Sequence, residues 1–254
     1  MNKMILKKLI VQGVNYKRTI NFNEGLTIIS GEKTSGKSLV LSLIDYCLGK
    51  SKKIDLKVQK ELGIHCDNVF LELKINDNIF TFNRALKTKI SNINIYFCNF
   101  SNIDGYTPKM LALDEAKKFL MNQLNINEYK LIKHKKHSNQ KELSVVSFRD
   151  LFRYVYIDQH SLGTHDFLDN KSTFKKFKNP HAFKLMFNLV DKDTASLIEE
   201  LVETQNNISD SQRIISGLSA YLKDKNAEDF NDLTSKFSNL KKKIVEKNSL
   251  KKIL

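Results

Sequence analysis

Eight residues, GEKTSGKS at 31–38, constrain this chain more than any others. Gly31 and Gly36 enclose four residues, and Lys37 and Ser38 follow at once. That spacing is the phosphate-loop pattern, and each residue type in it answers a physical demand. The glycines permit the tight backbone path that turns successive N–H groups toward phosphate oxygens. Lys37 supplies a point charge for the β- and γ-phosphates. Ser38 offers a hydroxyl to Mg²⁺, and the helix predicted to follow aims its positive N-terminal end at the anion. The candidate nucleotide contacts are therefore Gly31, Glu32, Lys33, Thr34, Ser35, Gly36, Lys37, Ser38 and Leu39, with ATP and Mg²⁺ as expected ligands.

The flanks of the loop suit this reading. Residues 26–30, LTIIS, are short, apolar and β-branched, as a strand feeding the loop should be. After it, SLVLSLIDYCLG has apolar residues at helical spacing, with Gly49 placed to end the helix. Upstream, MILKKLIV (4–11) and KRTINF (17–22) read as two strands. NVFLELKI (68–75) and NIFTFNR (78–84) flank Asn76-Asp77 and read as a hairpin. INIYFCNF (93–100) predicts another strand. Thr107-Pro108 is expected to open a helix reaching Leu124. KLIKHKKHSNQK (130–141) lacks apolar periodicity and reads as a basic loop, and SFRDLFRYVYIDQ (147–159) as a helix running into a turn.

Charge divides the chain. Residues 1–180 carry 30 lysines and arginines against 17 aspartates and glutamates, whereas 181–254 carry 12 against 11. The net charge of +14 thus belongs to the first part, where it would attract a polyanion. Lys133, Lys135, Lys136, Lys175, Lys176 and Lys178 are candidates for DNA phosphates, beside the competing reading of a solvated charge run. Cys47, Cys66 and Cys98 show no CxxC spacing, which argues against a disulfide framework and fits a reducing cytoplasm. His134, His137, His160 and His165 lack the companions of a metal site.

From about Pro180 the pattern changes. Leu197, Leu201, Ile208, Ile215, Leu218 and Leu222 fall on a seam of three- and four-residue steps, with Thr204 and Ser211 at two of its steps, and Phe230, Leu233, Phe237, Leu240 and Ile244 continue it. This predicts a coiled-coil arm over 181–254, following a lobe over 1–180. KDKNAED (223–229) interrupts it, either as a stutter or as the tip of a helical hairpin.

The N-terminal strand pair, the early phosphate loop, the helix ending IDYCLG and the later coiled coil together resemble the N-terminal half of an ABC-type ATPase head of the SMC, RecF and RecN kind. LTIISGEKTSGKSLVLSLIDYCLG looks closest to SMC-like ATPases of bacterial defence operons. The resemblance implies an α/β P-loop NTPase lobe in which Gln159, as the Q-loop glutamine, contacts Mg²⁺ and the attacking water. It places Arg84 as the arginine carried by a strand after the first helix, near nucleic acid. It further implies a second ATPase lobe, in the same protein or another chain, that supplies Walker B. Two heads would then close as a dimer on ATP, with DNA as partner. Lys33-Thr34-Ser35 departs from the Asn-Gly-Ser usual in SMC loops, and Ser216-Gly217 reads as helix rather than as an ABC signature.

MLALDE (110–115) imitates a Walker B strand ending in Asp114 and Glu115. Were it one, the chain would be a self-contained AAA- or RecA-like NTPase. The helical spacing of Leu113, Ala116, Leu120 and Leu124 favours a helix through the supposed motif. A third reading is a non-enzymatic nucleotide-binding module that assembles through its coiled coil.

Overall fold

The computed structural model describes residues 2–33, 35–52, 54–55, 57, 59–87, 92–134, 141–157, 162–163, 168, 172–190, 192–226 and 228–251. Its contacts divide the chain into one unit of residues 1–130 and 145–191 and a second of 131–144 and 192–254. The expected boundary near 180 falls inside a helix, and the break comes after 191.

Unit 1 is built on a six-stranded sheet. In chain order its strands are β1 (Met4–Gln12), β2 (Lys17–Asn21), β3 (Asn68–Ile75), β4 (Asn78–Ala85), β5 (Ile93–Tyr96) and β6 (Lys109–Leu111). Their spatial order is β2-β1-β3-β4-β5-β6, and every neighbouring pair is antiparallel. The β3–β4 hairpin turns where the sequence predicts, with Asn76 at φ 54°, a left-handed conformation asparagine tolerates. β3 is buried at five successive positions from Val69 to Leu73, so both faces of the sheet are covered there.

Helix α1 (Lys37–Cys47) provides part of that cover, burying Leu43, Ile44, Tyr46 and Cys47. Short α2 (Lys60–His65) follows, and α3 (Leu113–Gln123) buries Ala116, Leu120 and Met121. Phe119 of α3 meets Phe80, Phe82 and Phe97 at ring-centroid distances of 5.4–6.3 Å, an aromatic cluster that locks helix to sheet. Helix α4 (Phe148–Phe152) and α5 (Thr173–Met186) complete this unit.

Three expectations need correction. LTIIS is not a strand: Leu26 and Ile28 are 84% and 78% exposed, and no ladder includes them. Residues 107–112 do not begin a helix, because β6 pairs with β5 and α3 starts at Leu113. The basic stretch from 130 is only partly loop, since β7 (Tyr129–His134) and β8 (Lys141–Val146) form a two-stranded sheet.

Unit 2 holds two long helices, α6 (Lys192–Asp224) and α7 (Phe230–Lys251). The polar interruption is a true break. Asn226 adopts φ 51°, and Asp229 caps α7 by accepting the Asp232 N–H at 2.7 Å. Near the break, Tyr221, Leu233, Phe237 and Leu240 border one groove of about 760 Å³. A coiled coil is not shown among the described residues. Leu197, Ile208, Ile215, Leu218, Phe230, Phe237, Leu240 and Ile244 are all more than half exposed. Ser216-Gly217 lies within α6, as helix. Among the described residues, no helix is long and apolar enough to cross a membrane.

Candidate nucleotide-binding site

The loop reaches α1 through Gly36, whose φ of 85° is left-handed and strained for any residue with a Cβ. Gly31 is tight for a different reason, since a Cβ there would stand 2.6 Å from the Ser35 hydroxyl. No side chain caps α1, and no acidic residue occupies its first turn. The Leu39 and Val40 N–H groups donate to the Gly36 carbonyl at 3.0 and 3.2 Å, and with no acidic residue to offset it the first turn presents a positive end.

Lys37 folds back over the loop. Its Nζ donates to the Gly31 carbonyl at 2.7 Å, the Glu32 carbonyl at 2.6 Å and Ser35 Oγ at 3.2 Å. Three donors thus meet three acceptors. A phosphate entering the loop would exchange neutral acceptors for a charged one, which makes stronger hydrogen bonds. Ser38 is exposed on the first turn of α1, and Leu39 follows half-buried. The residues present therefore suit a nucleotide's phosphates and a Mg²⁺ beside them. Thr34 and Gln159 lie outside the described residues, as do Lys135 and Lys136.

Arg84 is the clearest correction among the residues singled out from sequence. It is 1% exposed, so its guanidinium cannot meet a DNA backbone. Nη1 instead donates to the carbonyls of Tyr46 at 2.5 Å and Lys50 at 2.8 Å, where α1 ends, and the guanidinium lies 3.6 Å from the Tyr46 ring centroid. The Tyr46 carbonyl belongs to the last turn of α1, where it also accepts the Gly49 N–H at 3.2 Å, and Lys50 lies just beyond the helix. Burial holds the Arg84 pKa below its ordinary value. Lys178 is likewise only 6% exposed, with Nζ between the Val145 carbonyl and Asp150. Lys175 is half-buried, Lys176 is exposed, and Lys133 stands on β7.

The Walker B imitation also resolves. Glu115 accepts the Ala112 N–H at 3.0 Å and so caps α3, while Asp114 pairs with Lys117 at 2.9 Å. Both carboxylates border a cavity shared with Asp45, Gly49 and Lys50, at the far end of α1 from Lys37. Eight residues of helix separate Asp45 from Lys37, roughly 12 Å of rise.

Sequence reasoning missed the charged cluster at that end. Asp45 is 1% exposed and pairs with Lys50 at 2.7 Å and with Arg149. The available signal was an aspartate inside the apolar run of LSLIDYCLG, where a charge requires a buried partner.

The chain matches the family model of an AAA domain over residues 11–252. No curated protein matches it.

Proposed function

The chain belongs to the AAA_23 family of AAA domains, and from that premise we propose that it is the ATP-binding lobe of an SMC-like ABC-type ATPase. In this reading the loop at 31–38 cradles ATP, while Ser38 and Gln159 hold Mg²⁺. A further lobe, in the same protein or on another chain, brings the catalytic carboxylates. ATP then draws two such heads together, and hydrolysis releases them.

One observation carries the proposal. The apolar segment 26–30 leads directly into the loop, yet its Leu26 and Ile28 are exposed and the six-stranded sheet is antiparallel throughout. Apolar, β-branched residues in extended backbone seek a buried strand position. A strand contributed by the second lobe would bury Leu26 and Ile28 and place acidic residues near Lys37. Asp114 and Glu115 stand at the wrong end of α1 for that work. The positive first part of the chain supports contact with DNA phosphates without sequence readout, through Lys176 and Lys175 among the described residues. A role in DNA repair or anti-phage defence, in the cytoplasm, rests on the family likeness.

The test is ATP binding and hydrolysis by this chain, with Lys37→Ala as control. We expect binding that the substitution weakens at least tenfold, and no turnover above the control. Robust Lys37-dependent turnover that Glu115→Gln abolishes would instead place the active site at α3.

A further inference from the structure

The charged cluster at the C-terminal end of α1 belongs to a cavity of about 940 Å³, all of whose lining residues lie in unit 1. Its volume is that of a small-molecule site. Its charge is unusual for a structural void.

Two buried carboxylates anchor the wall, and each holds two cations. Asp45 takes Lys50 and Arg149, and Asp150 takes Arg153 at 3.1 Å and Lys178 at 3.4 Å. Both carboxylates are at most 4% exposed. Among the described residues, four cations against two carboxylates leave a surplus of two positive charges in the inner wall. Around the rim, Asp114 with Lys117 and Glu128 with Lys118 cancel one for one, and Glu115 balances Lys175 in number. Concentrating uncompensated charge in a partly desolvated wall is costly unless an opposite charge can join it.

Donors remain for such a charge. Among the described residues, Arg149 uses only Nη1 in hydrogen bonding, of the five N–H groups a guanidinium offers. Beside the cations stands a ladder of rings. Phe148 and Phe152 stack at 5.5 Å and 22°, and Phe152 and Tyr156 at 5.5 Å and 20°. All three border the cavity. A flat ring lying in the cavity against these aromatic side chains would be held at little conformational cost.

The geometry points to a second ligand site, separate from the phosphate loop, that takes a small phosphate-bearing molecule with a planar ring, of the nucleoside monophosphate class. A phosphate monoester carries a charge near −2 at neutral pH, which matches the wall's surplus. The inference stands independently of the ATP reading, because no described residue of 31–38 lines the cavity.

Titration calorimetry with AMP on the full chain carrying Lys37→Ala tests it, since that background disables the loop. We expect saturable binding, at least tenfold tighter than that of inorganic phosphate, which lacks the ring, or adenosine, which lacks the charge. Adding Arg149→Gln should weaken it tenfold or more. Lys50→Gln, at a half-exposed position, serves if the arginine variant fails to fold. Hydrogen exchange on the unsubstituted wall should show AMP-dependent protection over 147–156. Absence of AMP binding at millimolar concentration overturns the proposal. Equal binding of AMP and phosphate, or protection confined to 31–38, overturns it as well.

Discussion

Arg84 illustrates how a buried cation can serve a helix rather than a ligand. It sits on β4 and ties off two carbonyls at the end of α1, while its Nε and Nη2 find no partner among the described residues. Replacing it with alanine removes both donors and leaves a void. We expect Arg84→Ala to cost about 3 kcal/mol in urea unfolding. A loss below about 0.5 kcal/mol would show the clamp to be dispensable. Cys47 beside it gives a pH prediction. Complete burial pushes its thiol pKa up to about 12 from 9.0. The native state therefore keeps the proton where the unfolded chain loses it, so stability is intact below pH 9 and falls as pH rises from there toward 12. Unfolding midpoints measured at pH 8 and pH 10.5 should show that decline, and Cys47→Ala should reduce it. Native-state alkylation of Cys47 at pH 8 should be negligible, since the thiolate is the reactive form.

Among the elements, two stretches of similar apolar composition met different fates. MILKKLIV became β1 because β2 and β3 flank it on either side. LTIIS has equal β character but no neighbour among the described residues, and stays exposed. Leu26→Ser with Ile28→Ser should then change the stability of this chain by less than about 0.5 kcal/mol, while abolishing ATPase activity reconstituted with the second lobe. A large loss in the isolated chain would mean that the segment is already packed. The helix from Leu113 was legible because the spacing of Leu113, Ala116 and Leu120 persists along it. Its start was not. Thr107-Pro108 satisfies the local rules for a cap, yet residues 109–111 found a ladder with β5, and tertiary pairing overrode the local preference.

For the molecule as a whole, the exposed seams of α6 and α7 matter most. Apolar stripes this long rarely stay in water on a soluble protein. We expect self-association that grows with concentration in sedimentation velocity, and that Ile215→Glu with Leu218→Glu reduces it. A strictly monomeric chain at high concentration would instead leave the seams for a different partner.

Sequence alone determined the phosphate loop, the helix behind it and the β3–β4 hairpin, and marked the interruption at 223–229 without deciding between a stutter and a break. Each depends on contacts within a few residues or on a backbone conformation that one residue type supplies. Tertiary structure alone decided that Arg84 and Lys178 are buried and that Asp114 and Glu115 lie away from Lys37. It also gathered Asp45, Arg149 and Asp150 around one cavity. Those outcomes depend on which surfaces meet across 28 to 104 residues of chain, and a charge reads the same in sequence whether water or a carboxylate neutralises it.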